Sequence, residues 1–282
     1  MNKFENVIST LEGQVFSEEV DKVYAHRLAG QAYLRQDKLP EAESQFNTSS
    51  DISQTSKHTL LGQALLAAYK NNLDSALKLT NRILATNDDL LEAWLLKGSI
   101  KSKENDYLAA AIAYQEYHSR KPNNIGVQTL VAHNYIKAGQ YEKARPLVSK
   151  LREVNSDHPT INLMAAQLKY LDRDYEEAHE LANKVIQSTD NGLAQMISGL
   201  SSYQLQNYEQ AYYQLNAITD ALPKDHQVHK VLAVIQLKLG YSQELIENLE
   251  SIDSTGEDAK FLARMGLEMA EQGNTQQSYQ LF

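Results

Sequence analysis

The pattern of hydrophobic, small and polar positions along this chain repeats every 33 to 34 residues. Ala42, Ala76, Ala110, Ala144 and Ala178 stand 34 apart, and Ala211, Leu245 and Ser278 follow at steps of 33, 34 and 33. Twelve positions before each of these lies a second small residue: Gly30, Ala64, Gly98, Ala132, Ala166, Gly199, Ala233 and Gly266. Glycine and alanine make up roughly one residue in seven, so eight such coincidences by chance are on the order of 10⁻⁷. Two small residues twelve apart are what a pair of short antiparallel helices needs in order to cross closely. Three residues before each anchor come Leu39, Leu73, Tyr107, Tyr141, Tyr175 and Tyr208, hydrophobic plugs for the turn inside the pair, lapsing to Ser242 and Thr275.

Breakers fall where this pattern requires them. Gly139, Gly240 and Gly273 sit at the bend inside a pair, where glycine takes the left-handed cap. Pro122, Pro159 and Pro223 lie beside Asn, Asp or Ser between pairs, where proline suits a first helical turn and the polar residues suit caps. Pro146 falls deeper in its helix and is expected to bend it. The expected fold is all-α: a right-handed α-solenoid of about eight helix-turn-helix repeats over residues 23–282, with copies starting near 23, 57, 91, 125, 159, 192, 226 and 259. Residues 1–22 stand outside the repeat. Phe4, Val7, Ile8 and Leu11 share one face of a helix there, a cap or the end of a preceding repeat. The last copy stops four residues past its anchor with Tyr279, Leu281 and Phe282, where a capping repeat would be polar. The expectation is a segment of a longer array, with end-to-end self-association through that terminus open to it.

The stretch Glu92–Pro122 spells the unit best: Trp94, Gly98, Ala110, Tyr114 and Pro122 fall at the offsets of the tetratricopeptide (TPR) pattern, although Lys97 and Lys101 stand where that pattern prefers Leu and Tyr. On this skeleton the chain resembles the TPR family across residues 23–282. The runs Leu60-Leu61-Gly62, Leu90–Gly98, Ser202–Ala211 and Leu232–Gly240 further resemble the PrsT-type TPR lipoproteins of bacterial PEP-CTERM/exosortase sorting and exopolysaccharide production. That resemblance implies a periplasmic or cell-envelope location and a lipid-anchored parent. The lipobox cysteine of such proteins is absent here, and without the resemblance a cytoplasmic location is equally compatible.

Composition narrows the function. A net charge of −9 and 27 scattered basic residues argue against a nucleic-acid partner. No apolar run approaches the roughly 18 residues of a membrane helix. With no cysteine there is no disulfide, thiolate nucleophile or thiolate metal site. Residues 1–22 carry no charged-then-apolar stretch with a cleavage site, as an export signal would. The eight histidines are dispersed. Only His226 and His229, near Asp225, could share a metal, and zinc needs a third or fourth ligand. Glu176-Glu177 and Asp88-Asp89 read as carboxylates complementing helix N-termini. No P-loop, Rossmann glycine set or nucleophile elbow occurs. The chain reads as non-catalytic, with no cofactor and no metal.

What remains is a binding surface, the concave groove formed by one face of each first helix. Register places Tyr24, Arg27, Gln31, Leu61, Leu65, Tyr69, Glu92, Leu95, Ser99, Lys103, Thr129, His133 and Lys137 there, then Leu163, Gln167, Tyr170, Met196, Leu200, Tyr203, Lys230, Val234 and Lys238. The leucines read more as inter-repeat core than as ligand contacts. The polar and aromatic members are the candidate contacts for a protein or peptide partner, and Arg27, Lys103, Lys137, Lys230 and Lys238 suit one with acidic character. An acidic exopolysaccharide, bound through the tyrosines and lysines, is the alternative. A cytoplasmic co-chaperone-like adaptor is a further one, but no copy pairs Lys with Asn at the positions where chaperone-binding TPR domains grip a terminal carboxylate: the first two read Arg27/Gln31 and Leu61/Leu65.

Overall fold

The computed structural model describes residues 3–12, 14–249 and 256–279, and every regular element among them is helical. The chain divides into two compact units, residues 1–147 and 148–282. In the first, α1 (Lys3–Glu12) packs on α2 (Glu19–Leu34), which pairs with α3 (Leu39–Ile52). The pairs α4 (Lys57–Tyr69) with α5 (Leu73–Leu84) and α6 (Leu91–Lys103) with α7 (Tyr107–Arg120) follow, then α8 (Ile125–Lys137) and α9 (Tyr141–Val154), within which the division falls. The second unit holds α10 (Pro159–Leu171) with α11 (Tyr175–Ser188) and α12 (Gly192–Gln204) with α13 (Tyr208–Asn216), the latter followed by a 3-10 turn at Thr219–Ala221. It closes with α14 (Gln227–Leu239), α15 (Ser242–Leu249), α16 (Gly256–Glu271) and α17 (Thr275–Ser278). Partners in a pair pack on each other, and first helices also touch along the stack, α2 on α4, α4 on α6, α10 on α12 and α14 on α16.

The periodic small residues are the crossing points. All six anchor alanines have no solvent exposure, Leu245 has none, and Ser278 is buried. Ala64, Ala132, Ala166 and Ala233 on the facing helices are equally closed. Where that facing residue is glycine the approach is tighter still: a Cβ on Gly30 would lie 2.5 Å from the Phe46 ring, on Gly98 2.6 Å from Tyr114, and on Gly199 2.6 Å from Leu215. Around these crossings Leu61, Ile83, Leu96 and Ile100 in the first unit, and Leu215, Ile235, Leu245 and Met265 in the second, form the core.

The turn inside each pair repeats with the same geometry eight times. Asp37, Asn71, Asn105, Gly139, Arg173, Gln206, Gly240 and Gly273 all hold a positive φ, between 60° and 89°. The next residue donates its N–H back five positions, as in Asn72 to Ala67 O at 2.9 Å and Gln140 to Tyr135 O at 2.8 Å, the Schellman closure of the first helix. That same residue then starts the second helix. Asn72, Asp106 and Asp174 accept from Ser75, Ala109 and Glu177 N–H with their side chains. One residue thus ends one helix and caps the next, which fixes the loop at a single length. Asparagine and aspartate tolerate the left-handed region through local hydrogen bonding, but arginine and glutamine gain nothing there.

The helix α2 starts at Glu19, one turn ahead of the register at 23. The helix α9 continues through Pro146, which leaves the Glu142 carbonyl without its usual donor. Ile8 of α1 is buried and Leu11 is half-buried, whereas the side chains of Phe4 and Val7, and all of Leu281 and Phe282, lie outside the described residues.

Arg173→Gly and Gln206→Gly are each expected to stabilise the protein by about 0.5 to 1 kcal/mol, the left-handed strain relieved less the added chain entropy. Thermal unfolding checks this, and an unchanged or lower midpoint refutes it. Gly98→Ala should destabilise by about 1 to 3 kcal/mol, since the new methyl meets the Tyr114 ring; denaturant titration reads that loss.

Candidate partner-binding surface

In the first unit the register column of α2, α4, α6 and α8 presents a face that is polar but uneven. Lys103 and Lys137, one repeat apart at equivalent positions, are exposed and have no ion-pair partner among the described residues. Ser99 is exposed, and His133 is half-buried one turn before Lys137. Burial, reinforced by Lys137, holds the His133 imidazole below its ordinary pKa. Tyr69 is exposed, but its hydroxyl donates to the Asp37 carboxylate of the preceding turn, which pushes its own pKa up.

The other end of this column is closed. Arg27, expected to face the groove as a free cation, is 1 % exposed. Its Nη1 donates to Gln31 Oε1 at 2.9 Å, its guanidinium lies 4.9 Å from the Tyr24 ring centroid, and Nη2 stands 3.6 Å from Glu92 Oε1 across two repeats. Tyr24 packs edge-on against the His58 ring, centroids 4.8 Å apart. Gly62 on α4 is required by the Phe46 ring, which a Cβ there would meet at 2.6 Å, and Arg27 Cγ passes the same spot at an ordinary contact distance of 3.5 Å. Burial lowers the Arg27 pKa, opposed by the Glu92 charge and the nearby Tyr24 hydroxyl. Burial also lowers that of His58, helped by Arg27 and Lys57 and opposed by Glu92. The sequence put Arg27, Gln31, Tyr24 and Glu92 on one face but gave no sign that His58 completes the cluster or that Arg27 lies inside it.

In the second unit the expected contacts are largely taken up by packing. Tyr170 lies edge-on to Tyr175 at 5.5 Å, and Tyr203 is tilted against Tyr208 at 6.3 Å, so each half-buried ring rests on the plug of its own turn. Lys230, expected as a free groove cation, is paired with Asp258 of α16. Gln167 is half-buried, and Lys238 is exposed without an ion-pair partner among the described residues.

Side-chain clusters elsewhere serve the stack. His179 Nδ1 lies 3.1 Å from both Ser198 Oγ and Ser202 Oγ, and Asn183 bridges Ser198 and the ring. The two serines have no solvent exposure, so a substrate cannot reach them, and the group is a polar seam between α11 and α12. His226 caps α14 by accepting from Val228 N–H, and His229 Nε2 is 3.1 Å from the Pro223 carbonyl. The acidic pairs bind cations more than helix ends: Asp88 pairs with Arg120, Asp89 with Lys57, and Glu177 with Arg152 and Lys169.

Comparison with known proteins places this architecture. The family model described as the tetratricopeptide repeat protein 21 C-terminal ARM domain matches residues 1–163. Among solved structures, pilF of Pseudomonas aeruginosa is similar over 78 % of this chain and 99 % of its own, with a TM-score of 0.62 at 15 % identity. A chain of the APC/C hetero-tetramer Cut9-Hcn1 is similar over 99 % of this chain and 52 % of its own, with a TM-score of 0.59 at 13 % identity. YrrB, a TPR protein with an unusual peptide-binding site, is similar over 65 % of this chain and 94 % of its own, with a TM-score of 0.54 at 18 % identity. At these identities the likenesses concern the fold.

His58 and His133 are held neutral by the fold, so their contribution to stability is complete above the ordinary histidine value of 6.5 and is lost as pH falls below it. Thermal midpoints should therefore decline from about pH 7 to about pH 5, and His58→Gln with His133→Gln should flatten that decline. A slope unchanged by the double substitution refutes the assignment.

Proposed function

The chain belongs to the tetratricopeptide-repeat family represented by the C-terminal ARM domain of tetratricopeptide repeat protein 21, and on that footing we propose that its first unit holds an extended acidic segment of a partner polypeptide. The carrying observation is the pair Lys103 and Lys137, exposed and without an ion-pair partner among the described residues, at the same register of successive repeats in a chain of net charge −9. In that setting a local cationic strip is a specific feature, and it would steer and orient an anionic chain along the helix stack. Ser99 and the exposed Tyr69 ring add hydrogen-bonding and aromatic area on the same column. The affinity is a sum of modest contacts. For the setting of the partner, the PrsT-like runs support an assembly of the bacterial envelope, and we extend the proposal to a periplasmic location on that resemblance.

An amidated, N-acetylated hexaglutamate peptide serves as probe. Lys103→Glu with Lys137→Glu should weaken its binding by about tenfold or more, and added salt should weaken binding to the parent protein. Calorimetry reads both. Binding untouched by the double reversal overturns the proposal, and heat from alginate but none from the peptide would replace the polypeptide with an acidic polysaccharide.

A further inference from the structure

The buried end of the same column carries a more specific feature than its exposed lysines. Arg27 Nε and Nη2 make no hydrogen bond of ordinary geometry, and neither does the neighbouring buried His58 Nδ1. A side chain 1 % exposed with two idle donors is costly, because each lost its water on burial and gained no partner of equal strength. Nε and Nη2 form one edge of the guanidinium, and that edge grips an oxyanion through two parallel N–H···O bonds. Nη1, on the other edge, is engaged by Gln31. Glu92 Oε1 stands 3.6 Å from Nη2, within ion-pair range but beyond a hydrogen bond, and the Glu92 side chain is 45 % exposed. The carboxylate that should satisfy Arg27 therefore hovers over it without seating.

From these observations we propose that the Nε/Nη2 edge of Arg27 is a receptor for a single side-chain carboxylate of the partner, and that Glu92 is a movable internal stand-in which that carboxylate displaces. It rests on the reading of the first unit as an acidic-segment binder and names where one acid seats. Glu92 and Tyr24, 40 % exposed, cover the site and are its natural gate. The occupant is a side chain rather than a chain terminus because no second cation stands at the equivalent positions: the next two first helices carry Leu61 and Leu95 there. A terminal residue with two carboxylates would leave one uncompensated. The fixed geometry around Arg27 gives the site a directional preference that Lys103 and Lys137, as mobile point charges, do not have.

The test follows the Arg27 Nε–H resonance by NMR while the amidated hexaglutamate peptide is added, alongside calorimetry on Glu92→Gln and Glu92→Gln/Arg27→Lys. The proposal expects a saturable shift of that resonance in the unaltered protein, affinity raised about tenfold by Glu92→Gln, and loss of that gain in the double variant. An Arg27 Nε–H that stays unmoved while the peptide saturates overturns it, as does a Glu92→Gln gain that survives Arg27→Lys. If Lys103→Glu/Lys137→Glu abolishes peptide binding while the Arg27 resonance never moves, the broader reading stands and this one falls. If no variant binds the peptide, both fall. The resonance measurement needs no substitution, so a variant that fails to fold does not protect the proposal.

Discussion

Everything in this chain depends on two helices crossing closely enough for a ring or a methyl of one to rest on the backbone of the other. Gly98 against Tyr114 and Gly30 against Phe46 show the limit, where a single added carbon would collide. Close crossing closes each anchor residue to solvent, and it demands a loop short enough to return the chain at once. The eight Schellman turns are the consequence, and at Asn72, Asp106 and Asp174 the residue that closes one helix also caps the next with its side chain. Short loops in turn lock the rotation of each pair, so the same register positions of successive first helices fall on one face. The binding surface is thus a by-product of the packing constraint.

Each unit treats its own register column with a different chemistry. The second spends its tyrosines on internal contacts, Tyr170 on Tyr175 and Tyr203 on Tyr208, and pairs Lys230 with Asp258. The first leaves Lys103 and Lys137 without an ion-pair partner among the described residues and buries a cation with two of its three nitrogens idle. An array whose core needs only apolar and small residues gains no stability from Arg27 in that position, since burying a charge without full compensation costs more than its distant ion pair returns.

Several features that looked like chemistry in the sequence are absorbed by the stack. Asp88, Asp89 and Glu177 were legible as acids near helix starts, yet each answers a cation from another element. His226 does cap its helix. The His179 seam was invisible, because its members lie 19 and 23 residues apart and only the fold juxtaposes them. Five of the eight left-handed turn residues also went unread, since a non-glycine residue announces that conformation weakly. Asp37, Asn71 and Asn105 could have been noticed by type. Arg173 and Gln206 could be found only by counting the period through them.

By itself the sequence determined the all-helical repeat, its 33 to 34 residue period and the crossing residues. Those follow from local rules, helical periodicity and the size of a side chain at a crossing, which are written residue by residue. Only the tertiary structure decided that Arg27 is inside rather than in the groove, that Lys230 is neutralised by a helix one repeat on, and that Lys103 and Lys137 have no ion-pair partner among the described residues. The physical reason is that exposure and charge compensation are properties of neighbours distant in the chain. Arg27 meets Glu92 across two repeats, and no period in the sequence records whether such a pair closes to a hydrogen bond or stops at 3.6 Å.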